Sequence, residues 1–204
     1  MALERDCMTM NPTPPHWAEA VLRLFLARSD FDSVSGDLLE EYRLTVHVAR
    51  GRRRANVWYA TQVLGFAWRR AQPWAILLAV AFIARTAIDW RVPTTDFGSR
   101  SALSTTLDVG ILLLAGFWAG VRSGSFAAGP AIGVVASVVA APIKIVGVAL
   151  LLALWHDPAT MAAIHNSGGL AEVFELPLLM FVPAVLLGSI GGSLGALRGR
   201  MRAA

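Results

Sequence analysis

From Ala131 to Trp155 the chain reads AIGVVASVVAAPIKIVGVALLLALW, an apolar run broken by a single charge, Lys144. About 20 apolar residues rising 1.5 Å each cross a hydrocarbon core of about 30 Å, so this run predicts a membrane-crossing helix. Runs at about 71–90, 104–121 and 176–197 predict three more. Arg85 and Asp89 sit near the far end of the first, and Asp108 near the start of the second. The last contains Pro177 and Pro183 and finishes GSIGGSLGAL. Strands fit poorly, given the length of the runs and their alanine, leucine and glycine content.

Ahead of the spans the pattern is amphipathic. Residues 1–13 read as a disordered leader in which Met10 is an alternative start, and Pro14 and Pro15 open a helix, where proline is tolerated. Trp17, Val21, Leu24 and Phe25 recur at helical spacing up to Ala27, and Ser29–Asp30 breaks that helix and caps the next. A second helix, Phe31 to Arg50, carries Val34, Leu38 and Tyr42 four apart, with Leu39, Leu44 and Val48 nearby. Asp37, Glu40, Glu41 and Arg43 form its polar side, with a Glu40–Arg43 pair. Gly36 inside this pattern predicts either close packing of the first two helices or a late start of the second. Gly51 to Arg54 is a basic turn. Ala55 to Arg70 returns to helical spacing and is expected to end or kink at Pro73.

Composition supports this division. The 204 residues are 55% hydrophobic and 16% charged, with mean hydropathy +0.55, whereas a soluble domain carries about 25% charged residues. The charges concentrate in the first 70 or so residues, giving a head at 14–70 and a membrane domain at 71–204. The net charge of +4 has an explanation in topology rather than in nucleic-acid binding. Arg50, Arg52–Arg54, Arg69, Arg70, Arg122, Arg198, Arg200 and Arg202 fall on one side of a four-span chain. Arg91 and Arg100 with Asp96, then Asp157, Glu172 and Glu175, fall on the other. Both termini are therefore expected on the cytoplasmic side of a bacterial inner membrane. One cysteine, Cys7, leaves no internal disulfide. His16, His47, His156 and His165 lie at no metal-ligand spacing, and no phosphate loop or catalytic triad is present. No cofactor or metal is implied, and no enzyme activity.

The head also carries ordered motifs. Pro14, Pro15, Trp17, Ala18 and Glu19 open it, Gly36, Asp37, Leu38, Glu40, Glu41 and Tyr42 form its centre, and Trp58, Tyr59 and Gln62 come after them. Over about residues 14–70 this resembles the permease prefix domain 2 that precedes MacB-like ABC permeases. The resemblance implies a helical cytoplasmic module, and a contact with an ABC permease or another membrane protein as its role. The chain departs from such permeases after the head, with four compact spans and no room for a large periplasmic domain.

Three constellations remain as candidate sites. Lys144 near a bilayer midplane must face protein or water, and Asp108, Asp89 or Glu175 is its expected partner. Pro142 leaves a carbonyl unpaired nearby. Two readings stand, an ion pair that fixes packing and a ligand or proton site in a small transporter or channel subunit. Arg85 and Asp89, one turn apart, read as a local ion pair near the outer interface. Gly188, Gly191, Gly192 and Gly195 form a small-residue face that suits tight packing within the chain or a homo-oligomer. The fold expected is all-α: a four-helix transmembrane bundle with a small helical head.

Overall fold

The structure, a computed structural model, describes residues 12–92, 97–155, 158–166 and 169–203. Among them it is wholly helical: α1 His16–Phe25, α2 Arg28–Glu41, a π-helical turn Tyr42–Val46, α3 His47–Arg91, α4 Phe97–Ser123, α5 Ala128–Leu154, α6 Pro158–Asn166, α7 Gly169–Leu179 and α8 Phe181–Ala203. Four helices are long and apolar enough to cross a membrane, within Ser29–Ile88, Ala102–Ser123, Ala128–Leu154 and Phe181–Met201. That set is compatible with a multi-pass membrane protein. The chain divides into two compact units, residues 1–67 and 68–204.

The first unit closes around Ala18, Leu22, Leu26, Leu38, Tyr42, Val46, Ala55, Tyr59 and Val63. Burying Leu26 moves the first helix break. Leu26 and Ala27 are extended, with ψ 152° for both, and α2 begins at Arg28. Ser29 and Asp30 thus lie inside its first turn rather than forming the break. Gly36 is exposed within α2, and a Cβ there would have nothing within 4 Å. Neither close packing nor a late helix start accounts for it. Arg43 donates its Nε–H to the Pro12 carbonyl at 3.2 Å instead of pairing with Glu40. The turn expected around Gly51 is present as a single residue with φ 72° and ψ 167° between helical neighbours.

The second unit is small inside and large outside. Its buried residues include Ala71, Ala75, Ala115, Ala119, Ala128, Ala136, Ala140, Ala184 and Ala196. Large apolar side chains such as Val80, Leu114, Val138, Val146, Leu150, Leu186 and Leu194 point outward. In an apolar solvent such helices would have little hydrophobic drive to associate, and close van der Waals packing of small residues would hold them. Glycines supply that approach. A Cβ on Gly116 of α4 would lie 2.6 Å from the Gly188 carbonyl of α8, and one on Gly192 would lie 2.6 Å from the Phe126 carbonyl. A Cβ on Gly195 would strike the Phe117 carbonyl, and one on Gly191 the Leu113 carbonyl. α8 therefore presents Gly188 and Gly192 to the start of α5, and Gly191 and Gly195 to α4. Of the two uses open to this face, packing within the chain is the one the structure adopts.

Prolines behave differently at three places. α3 runs through Pro73, which is exposed, because Ala71, Ala75, Leu78 and Ala79 keep the opposite face buried. α5 likewise continues through Pro142. The fourth span, expected from residue 176, instead starts at Phe181. Pro183 has no N–H for the Leu179 carbonyl and its ring crowds that group, so helix formation restarts after Met180, with the Ala184 N–H bonded to the Met180 carbonyl at 3.1 Å.

Gly36→Ala should raise the stability of the first unit by up to about 1 kcal/mol, since alanine is the better helix former and meets no obstacle. Gly129→Ala should lower that of the second by about 1–3 kcal/mol, because its Cβ would lie 2.6 Å from the Gly192 Cα. Gly110→Ala, with open space around it, should cause no loss. Thermal unfolding of the three purified variants in detergent checks each expectation.

Candidate functional site

Lys144 is on α5, two helical turns beyond Ser137, and so shares its face. Its residue surface is only 1% exposed, and its Nζ stands 5.0 Å from the centroid of the Phe82 ring on α3. An ammonium over an aromatic face is attracted to the ring quadrupole, by about 2 kcal/mol where water is excluded. That contact covers one side of the charge. Asp108 of α4 lies within electrostatic range of it, alone among the three acids expected as partners to show such an interaction among the described residues. Glu175 is exposed on α7, and the side chain of Asp89 lies outside the described residues.

Asp108 also feels Arg85 of α3. Arg85 lines a groove of about 280 Å³ with Ala81, Ala84 and Ile88 on one wall and Leu103, Ser104 and Leu107 on the other. Asp108 thus lies within electrostatic range of both Arg85 in that groove and the buried Lys144. The Asp108 Oδ1 is buried and has no hydrogen-bond partner among the described residues, as is the Ser137 Oγ. A buried acceptor left unmatched costs about 1–3 kcal/mol. The arrangement sets a half-buried carboxylate within electrostatic range of a buried ammonium, with one carboxylate oxygen left without a hydrogen bond among the described residues.

Phe82 and Ser137 carried no signal in the sequence beyond an apolar residue in an apolar run and a serine in register with Lys144. The hydroxyl of Thr86, also buried here, donates to the Phe82 carbonyl at 2.9 Å and is spent on its own helix. Ser189 and Ser193 of α8 likewise donate to the Val185 and Ser189 carbonyls, at 2.7 and 2.8 Å.

The head motif separates into two groups. Leu38, Tyr42 and Tyr59 are core, with the two tyrosine rings edge to face at 5.9 Å. The Tyr42 hydroxyl donates to the Asn56 Oδ1 at 2.7 Å. Trp58 packs against that core from its margin. Trp17, Gly36, Asp37, Glu40 and Glu41 are exposed or half-buried. Leu44 and Val48, read from the sequence as belonging with the apolar stripe, are 68% and 77% exposed. The π turn at Tyr42–Val46 inserts one extra residue, which rotates the helix beyond it by roughly 100° relative to an uninterrupted α-helix. Both Tyr42 and Val46 stay buried across it. Arg50 and Arg52–Arg54 are exposed, and the acidic residues form no ion pair with them among the described residues.

No known protein family, curated protein or solved structure matches this chain.

A double-mutant cycle on Lys144→Met and Asp108→Asn should give a coupling of about 0.5–3 kcal/mol in unfolding stability. The double variant is expected to be more stable than either single one, because each single change leaves one charge buried without its partner. Additive losses would show that the two groups do not act together.

Proposed function

We propose that the chain is an accessory protein of the bacterial inner membrane, both termini cytoplasmic, whose helical head binds a larger membrane protein. The observation that carries this reading is the exposed face of α2 and its continuation into α3. Asp37, Glu40 and Glu41 on α2, and Leu44 and Val48 in and just beyond the π turn, are all exposed. Large apolar side chains rimmed by acids on a surface helix suit a protein interface. The head's resemblance to the permease prefix domain makes an ABC permease the partner class. The arginines on one side of the spans support the orientation.

A second reading has its own observation. The set Arg85, Asp108 and Lys144, with an unmatched Asp108 oxygen, fits a proton or ion site in a small transporter or channel subunit.

Crosslinking in native membranes, then mass spectrometry, separates the two. The accessory reading predicts capture of a permease by the wild-type chain, and its loss with Glu40→Lys/Glu41→Lys or Leu44→Ser/Val48→Ser while the head stays folded. Recovery of only this chain, at a fixed multiple and unaffected by those changes, would overturn it in favour of the second.

A further inference from the structure

Arginines from three helices converge on two aromatic rings in the second unit. The Arg122 Cζ at the end of α4 lies 4.8 Å from the Trp118 centroid, and the Arg70 Cζ of α3 lies 5.9 Å from the same ring. The Arg198 Cζ of α8 lies 5.7 Å from the ring of Phe117, the residue next to Trp118. Trp74 meets Trp118 edge on, with centroids 6.3 Å apart. The glycine contacts that hold α8 to α4 are what bring Arg198 and Arg122 to one end of the bundle.

The stretches of chain that carry these guanidiniums hold no acid to neutralise them. No aspartate or glutamate occurs between Asp108 and Asp157, after Glu175, or from Trp68 to Ile88. A guanidinium resting on an indole face keeps its N–H edges free, and those edges match a phosphate bidentately. The surrounding apolar exterior and the tryptophans are what a membrane interface favours. An ion pair within the protein would have hidden this charge, and topology alone does not require arginines of two helices to share the Trp118 ring while a third, from α8, rests on the ring of Phe117 in the same helix as Trp118.

We propose that Arg70, Arg122 and Arg198, held on Trp118 and Phe117, form a binding site for the headgroup phosphate of an anionic phospholipid. The site is independent of the head and of Lys144. Its occupant is a lipid rather than a free anion, because the arginines stand on three helices, α3, α4 and α8, whose outer surface is apolar. Basic clusters in this position add attraction to anionic lipid for each arginine.

The test is native mass spectrometry of the full chain in detergent, titrated with phosphatidylglycerol or phosphatidylcholine. Phosphatidylglycerol should be retained preferentially, and retention should fall as salt rises. Each of Arg70→Gln, Arg122→Gln and Arg198→Gln should weaken it roughly fivefold. Arg122→Lys, which keeps the charge and loses the planar fork, should fall between. Arg91→Gln is the control, since Arg91 also lies 6.0 Å from an indole, that of Trp155, but roughly 31 Å along α3 from Arg70. Equal retention of the two lipids would overturn the proposal, as would equal loss with Arg91→Gln. Full displacement of lipid by millimolar inorganic phosphate would make the site one for a free anion and overturn the lipid assignment. Should a glutamine variant fail to fold, the lysine variant and the salt dependence of the wild type decide alone.

Discussion

The backbone-to-backbone approach of α4, α5 and α8 is the contact on which the rest of the second unit depends. Many of its large apolar residues face outward, while alanines and glycines make the closest contacts between its helices. Lipid tails are as apolar as leucine, so such helices gain little from hiding leucines against one another. They gain instead from many short van der Waals contacts, which only small residues permit. Gly116 against Gly188 and Gly192 against Phe126 leave no space even for a methyl group. This explains why the interface is intolerant where its side chains are smallest.

That approach also sets the chemistry. It fixes α5 beside α4, with Lys144 and Asp108 in electrostatic range of each other. A charge in this position is expensive unless it is matched. Around it lie the Phe82 ring and, within electrostatic range, the Asp108 carboxylate, one oxygen of which has no hydrogen bond among the described residues. The same packing places Arg198 of α8 beside the Phe117 ring of α4. One set of glycines thus governs both a buried polar centre and a cationic end.

The head obeys different rules. Its core is a conventional cluster of leucine, valine and tyrosine side chains, tied by the Tyr42–Asn56 hydrogen bond. Its unusual feature is the π turn, which keeps Tyr42 and Val46 inside while Leu44 and Val48 face out beside the acids. Burial and exposure along one continuous helix are therefore reassigned by a single extra residue in one turn.

Much was legible from the chain alone. Run lengths and apolar content implied the all-helical class and four helices able to cross a membrane, because those properties are local. The turn at Gly51 was visible in the same way. The buried lysine was conspicuous as the single charge in its run, and Asp108 stood among its expected partners. Other features depended on what the chain folds against. The shift of the last long helix to Phe181 arises where Pro183 crowds the preceding turn, and the break at Leu26 from that side chain's place in the core. Passage of α3 through Pro73 required neighbours that bury the opposite face. Phe82 could not be picked out of its apolar run, and Leu44 and Val48 carried a helical spacing that the π turn overrode. Placement of Lys144 in electrostatic range of Asp108 rather than Glu175, and use of Gly188–Gly195 within one chain, were decided by tertiary structure. Spacing along a helix says which residues share a face, and only packing says what that face meets.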